Sequence, residues 1–174
     1  VLGIVGANGS GKSTLLMHLI GCLPQSSGKI LYKGELMSKD VRWKMRSNTG
    51  LLFQNPEDQL FLPTVWEDAA FGPRNLGYTE DEVRERVNKA LHDTGMFPLR
   101  NKAPWKLSGG EKTLAALTGL FAMGPDTLLL DEPTAGLDPQ SRRNLINIIK
   151  NVPCSVIIAT HDLDMVLDTC DRSI

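Results

Sequence analysis

Eight residues, Gly6-Ala7-Asn8-Gly9-Ser10-Gly11-Lys12-Ser13, constrain this 174-residue chain more than any other stretch. They read G-x-x-x-x-G-K-S between an apolar run, Val1–Val5, and a helical pattern, Ser13–Ile20. A strand entering and a helix leaving is the context that gives this spacing its meaning. The glycines let backbone N–H groups turn inward around a phosphate, which a residue with a Cβ does not permit so cheaply. The helix that follows adds its positive dipole end at the same place. On this reading Gly6, Ala7, Asn8, Gly9, Ser10, Gly11, Lys12, Ser13 and the adjoining Thr14 bind a nucleotide. Lys12 would reach its β- and γ-phosphates, and the Ser13 hydroxyl would coordinate Mg²⁺. The alternative, a glycine-rich turn met by chance, leaves the flanking strand and helix as coincidence.

The remaining chain supplies the scaffold such a loop needs. Short apolar runs alternate with helical patterns, which predicts an α/β chain built on a mostly parallel sheet. Further strands are expected at Lys29–Tyr32, Thr49–Phe53, Thr127–Leu130 and Ser155–Thr160. Gly21 and Pro24 end the first helix. Thr79 with Glu82 makes a capping box before a helix whose Val83, Val87, Ala90 and Leu91 share one face. Ser108 with Glu111 makes another, opening a helix that Gly124-Pro125 breaks. Asp138-Pro139 starts a third, with Leu145, Ile148 and Ile149 inward, and a short helix follows His161-Asp162. Residues 55 to about 123 read as a helical insertion within a single domain, 1–174, whose core is 1–54 and about 124–174.

Two further motifs carry chemistry. Leu128-Leu129-Leu130-Asp131-Glu132 is a buried strand that delivers acids to its carboxyl end, where parallel sheets bind ligands. Asp131 would hold Mg²⁺ through water, and Glu132 would orient or deprotonate an attacking water, since phosphoryl transfer asks mostly for positioning. Alone, the same residues read as an acidic exit from a strand. Leu107-Ser108-Gly109-Gly110-Glu111 reads at its plainest as a capped helix start. Two glycines in a first turn cost about 1 kcal/mol each against Ala. A cap does not need them; a phosphate approaching bare backbone N–H groups does. A helix of about 12 residues spans roughly 18 Å, so Ser108 starts far from the Asp131 end. This helix end is therefore expected to serve a nucleotide held by a second copy or a paralogue.

Composition narrows the classes. Hydrophobic residues make up 41% and charged residues 22%, which argues against disorder. Nineteen Lys and Arg against twenty Asp and Glu leave a net charge of −1, so no overall basic footprint asks for nucleic acid. The longest apolar stretch, Leu114–Met123, is too short to cross a bilayer. The first residues lack the charged region and cleavage site of a signal peptide. Cys22, Cys154 and Cys170 form no CxxC pair, and a reducing cytosol is expected.

Taken together, the motifs resemble those of ATP-binding cassette (ABC) ATPases. Gly6–Ser13 is similar to the family's Walker A, Gln54 to its Q-loop, Leu107–Glu111 to its signature, Asp131-Glu132 to the end of its Walker B, Ala135–Asp138 to its D-loop and His161 to its H-loop. Six motifs in the family's order cover almost the whole chain. The resemblance implies a P-loop NTPase core with a helical insertion bearing the signature, and two such domains sandwiching two ATP molecules head to tail. It implies that Gln54 touches Mg²⁺ and the attacking water, and that His161 contacts the γ-phosphate and supports Glu132. Ser108, Gly109, Gly110 and Glu111 would close over the partner's ATP, and Asp138 would couple the two sites across the dimer.

A finer resemblance lies in Phe53–Phe61 and Glu67–Pro73, worded like ATPases of energy-coupling-factor and cobalt or nickel importers. It implies an ATP-hydrolysing subunit at the cytoplasmic face of the membrane. Its partners would be a second ABC ATPase and integral-membrane transport subunits, with no nucleic acid. The chain starts at the Walker A strand and ends soon after His161, so truncation at both ends is expected, without the family's adenine-stacking aromatic. Thr113 and Leu114 stand where relatives often carry basic residues. A soluble ABC ATPase working on DNA, ribosomes or metal clusters keeps the same chemistry. A regulatory module without turnover would not need both Glu132 and His161, and a P-loop small-molecule kinase would not need Leu107–Glu111.

Overall fold

Period-two burial organises the centre of the molecule. The computed structural model describes residues 1–25 and 27–174. In chain order the elements are β1 (Leu2–Val5), α1 (Lys12–Leu19), β2 (Leu31–Tyr32), β3 (Glu35–Leu36), α2 (Lys39–Asn48) and β4 (Thr49–Leu52). There follow α3 (Val65–Asn75), α4 (Glu80–Asp93), α5 (Gly109–Met123), β5 (Thr127–Asp131), α6 (Pro139–Asn151), β6 (Ser155–Thr160), α7 (Leu163–Thr169) and β7 (Arg172–Ser173). The main sheet has the order β4-β5-β6-β1-β7, with every pairing parallel. Successive residues of its inner strands enter opposite cores. Leu52, Leu128, Leu130, Val156 and Ile158 pack with α5, α6 and α7. Leu51, Leu129 and Ala159 pack with Ile4 and with Leu16 and Ile20 beneath α1. A strand buried on both faces reads as an uninterrupted apolar run, as 128–130 does.

The insertion has its own core. Val65, Ala69 and Ala70 of α3 meet Val83, Val87, Ala90 and Leu91 of α4, together with Ala115 and Ala122 of α5. Helix α5 also gives Ala116, Leu117 and Leu120 to the sheet core. It is apolar on both sides because it is covered on both sides. Both expected capping boxes form, at Thr79–Glu82 and Ser108–Glu111, and Gly124 ends α5 in the left-handed conformation.

One expectation needs correction, and two helices form where none is expected. Lys29–Tyr32 is not a strand of the main sheet. Only Leu31–Tyr32 pairs, antiparallel to Glu35–Leu36, across a turn in which Lys33 and Gly34 both have positive φ, the geometry that matches hairpin twist. Helix α3 was not anticipated, although Thr64 caps it and Pro73 sits inside its last turn. Helix α2 was also missed; only Val41 and Met45 of its ten residues are buried, so its periodic signal is thin.

Candidate active site

Four strand ends converge on one edge of the sheet. β1 leads into Gly6, β5 ends on Asp131, β6 leads into His161 and β4 leads into Gln54. In the first loop the glycines are required for different reasons. A Cβ on Gly6 would lie 2.6 Å from Ser10 Oγ, whereas Gly9 and Gly11 hold φ of +80° and +94°, which L side chains rarely adopt. Gly11 caps α1 without any side-chain acceptor, and the first turn of α1 carries no acid. Lys12 is only 8% exposed. Its Nζ donates to the Gly6 and Ala7 carbonyls at 2.8 and 3.2 Å and stands 3.4 Å from Glu132 Oε1.

Glu132 is held on both carboxylate oxygens. Oε2 accepts from the Thr160 hydroxyl at 2.9 Å and the His161 N–H at 3.3 Å, and Oε1 lies 2.8 Å from His161 Nδ1. Burial pushes its carboxyl up, but the bonds from His161 and Thr160 outweigh that and hold it below the ordinary value. Its backbone is left-handed, φ 46°, a conformation that costs a side-chain-bearing residue about 1–2 kcal/mol. The hydrogen bond from Glu132 N to Ala159 O, 2.8 Å, keeps it there. Asp131 is the opposite case. Its Oδ1 is buried with no hydrogen-bond partner among the described residues. Burial pushes its carboxyl up, with the neighbouring Ser13 acting against that shift.

The structure thus brings together Lys12, Ser13, Asp131, Glu132 and His161. It does not bring Gln54 into that array. Gln54 is exposed, and its side chain forms no hydrogen bond among the described residues. Gln59 instead pins the end of β4, accepting from Phe53 N at 2.9 Å and donating to Leu51 O at 2.7 Å. Ser108, Gly109, Gly110 and Glu111 sit at the start of α5, where Ser108 and Glu111 cap each other and Glu111 pairs with Lys102. The Ser108 N–H bond holds the Glu111 carboxyl below its usual range.

The two glycines differ. A Cβ on Gly110 would lie 2.7 Å from Ser141 Oγ and 3.0 Å from Ser141 Cβ, so this chain's own packing favours glycine there and any side chain must displace Ser141. A Cβ on Gly109 would meet nothing within 4 Å. The expectation that both serve a phosphate therefore keeps an independent argument only at Gly109. Asp138 is spent as the cap of α6, accepting from Gln140 N and Ser141 N at 3.0 and 3.1 Å. Sequence reasoning missed Thr160, which bonds Glu132, and Asp162, Thr134 and Arg142, which are linked behind Thr160; the Asp beside His161 was the available signal.

A buried lysine between a glycine loop and a strand-end carboxylate belongs to several nucleotide-binding families. The family described as "ABC transporter" matches residues 1–135. The chain belongs to that family. This ABC ATPase is 53% identical over 173 residues to the protein gll0289 of Gloeobacter violaceus, spanning 98% of this chain and 71% of that one. It is 47% identical to the energy-coupling factor transporter ATP-binding protein EcfA of Methanothermobacter thermautotrophicus, of whose length it spans 56%. Among solved structures it superposes on cbiO1 from Clostridium perfringens, described as part of the ABC transporter complex cbiONQ. The TM-score is 0.88 at 40% identity, over 98% of this chain and 71% of that one. The ATP-binding cassette MJ0796, in a post-hydrolysis state with ADP and Pi, shares the fold at TM-score 0.85 and 24% identity, over 97% of this chain and 77% of that one. The ABC ATPase binds and hydrolyses ATP. Among the described residues no helix is long and apolar enough to cross a membrane.

Proposed function

We propose that this ABC ATPase energises a membrane importer of the energy-coupling-factor or cobalt/nickel class, carrying a vitamin or a metal ion, as one half of a head-to-tail ATP-sandwich dimer. One observation carries the reading of the site: buried Lys12 and Glu132, joined by the exposed His161, beside an unpartnered Asp131 Oδ1. Residues Gly6 to Thr14 would wrap the phosphates of ATP. Lys12, now held by two carbonyls, would turn to the β- and γ-phosphates. Glu132, kept ionised by its neighbours, would accept the proton of the attacking water, with His161 holding Glu132 and facing the γ-phosphate.

The donor set also fits Mg²⁺, which takes one or two protein oxygens beside phosphate and water. Among the described residues no three acidic, histidine or cysteine side chains cluster to hold a metal unaided. A buried, unpartnered carboxylate oxygen next to a serine has the right character. Ser13 and Asp131 would hold the ion, which would supply charge neutralisation of the β- and γ-oxygens; Gln54, outside that array here, would have to swing in to join them. Gly109 and its neighbours would face the nucleotide of the second cassette, with Asp138 at the interface.

The membrane subunits have a candidate seat. Past Gln54, Phe61 and Phe71 are exposed and stack edge to face at 5.1 Å. They rim a depression of about 280 Å³ with Phe53, Ala116, Gly119 and Met123. An apolar helix laid into such a groove is a common recognition mode. EcfA and cbiO1 carry names from such transporters. The test is to tag the protein, expressed from its whole gene, and purify it from detergent-solubilised membranes at the cytoplasmic face. Stoichiometric recovery of a polytopic subunit, lost in Phe61→Asp, is the expected result. Recovery only from the soluble fraction, with nucleic acid or ribosomes, would overturn the importer and leave the ATPase.

A further inference from the structure

Asp162 is spent on more than its own helix. It caps α7, accepting from Met165 N on Oδ1 at 3.0 Å, and a cap needs only one such acceptor. Yet Arg142 grips the same carboxylate with both arms, Nε to Oδ2 at 3.1 Å and Nη2 to Oδ1 at 3.2 Å. The Thr134 hydroxyl donates to Oδ2 at 3.1 Å. Burial alone would raise the Asp162 carboxyl, but these donors, Arg142 foremost, hold it down. Thr134 and Arg142 bracket the loop Ala135–Asp138, one at each end. The loop's last residue is itself tied to α6 through the bond from Arg142 N to Asp138 O, 2.9 Å.

On its other side Asp162 leads straight into the acid site. Its N–H donates to Thr160 Oγ1 at 3.0 Å, and that hydroxyl donates to Glu132 Oε2 at 2.9 Å. His161, between Thr160 and Asp162, contacts both Glu132 oxygens. We infer that Asp162 is the hub of a clamp through which the 135–138 loop positions the Glu132–His161 pair, with Arg142 and Thr134 as its two jaws. Both jaws are positioning residues; neither reaches the reacting atoms. The clamp also explains how Glu132 stays left-handed, because a strained residue persists only where its surroundings over-determine it. A bidentate Arg–carboxylate pair fixes geometry as well as charge, so loop displacement moves His161 rather than being absorbed. The inference rests on the proposed roles of Glu132 and His161.

The test compares Arg142→Met, Arg142→Lys, Asp162→Asn and the Arg142→Met/Asp162→Asn pair in the purified full-length assembly. Asn keeps the cap of α7 but loses the anion that Arg142 grips. A small misplacement at a reacting centre costs about 10- to 100-fold. The expected result is a kcat loss of that size in Arg142→Met and Asp162→Asn, with KM for ATP held within about twofold. The pair should lose no more than either single variant, and Lys, which cannot span both oxygens, should restore little. Wild-type kcat in either single variant overturns the clamp. So do additive losses, or a kcat that tracks the thermal midpoint across Met and Lys. Glu132→Gln serves as the control. If it hydrolyses ATP like wild type, the reading of the acid site fails first and the clamp loses its object with it.

Discussion

Helices α1 and α5 are both proposed to begin at a nucleotide, α1 at this chain's own and α5 at the second cassette's, but they are built on opposite plans. α1 starts on a left-handed glycine without a side-chain cap, with no acid in its first turn and a lysine as its first residue. For an isolated helix that is the wrong sign, since the dipole favours negative charge there. α5 starts on a complete capping box, Ser108 with Glu111, which satisfies its first donors from within. The difference teaches what each end asks of ATP. On the proposed function, the start of α1 is left for an external anion to complete, since it has no side-chain cap and no acid of its own. The start of α5 is stable by itself and offers a bare backbone at Gly109.

The largest expected effect breaks the α1 side. Glu132→Gln should cut steady-state hydrolysis by about 10²- to 10⁴-fold, the range for a lost general base, while equilibrium ATP affinity is retained. Lys12→Ala should instead lose the affinity, because it removes a charge-assisted donor to phosphate. Unchanged hydrolysis in Glu132→Gln would remove that residue from the chemistry.

The next effect sharpens the α5 side by separating two adjacent glycines. Gly110→Ala should destabilise the fold, since its Cβ would lie 2.7 Å from Ser141 Oγ. Gly109→Ala should leave stability unchanged or raise it by up to about 1 kcal/mol, and still cut hydrolysis about tenfold through the donor geometry it disturbs. Thermal unfolding and ATPase assays on both variants decide this. Full activity in Gly109→Ala would mean that no phosphate approaches that backbone.

Much of this contrast was legible in the sequence, and the exceptions have physical causes. The glycine loop, the two acids ending an apolar strand and both capping boxes are local patterns, readable within a few residues. The contact of Gly110 with Ser141, and the grip of Arg142 on Asp162, join positions 20 or more residues apart that only packing brings together. α3 escaped because Pro73 and its neighbours mimic a connector, although Thr64 and Glu67 already spelled a cap. Gln54 followed from its place after a strand, but the sequence could not show that Gln59 takes the anchoring bonds.

A smaller effect compares the two acids at the end of β5. Asp131 is buried with a free oxygen and a raised pKa, so ionising it in the fold costs stability once pH exceeds the ordinary carboxylate value. Asp131→Asn should therefore stabilise the nucleotide-free protein near neutral pH, by about 1 kcal/mol on the scale of one unsatisfied buried group, and lose Mg²⁺-dependent hydrolysis. The gain should vanish below the ordinary carboxylate value. Glu132 has the opposite sign. Its depressed pKa gives stability present above the ordinary value and lost as pH falls through the folded one. Urea midpoints across acid pH for Asp131→Asn and Glu132→Gln should move in opposite directions, and parallel curves would deny the two carboxylates their different environments.

The smallest effect uses α4 as a control for α5, since Thr79–Glu82 repeats the capping box of Ser108–Glu111 with no glycine behind it. Thr79→Ala and Ser108→Ala each remove one cap, so each should cost about 1 kcal/mol of stability. Glu82 and Glu111 are both held below the ordinary carboxylate range chiefly by the backbone N–H of the cap residue, which Ala keeps, so both losses should persist as pH drops through that range. Only Ser108→Ala should also slow hydrolysis, because only that hydroxyl lies beside a backbone proposed to meet ATP. If Thr79→Ala slowed turnover equally, the cost of Ser108→Ala would be helix stability alone, and the start of α5 would be no more than a well-capped helix.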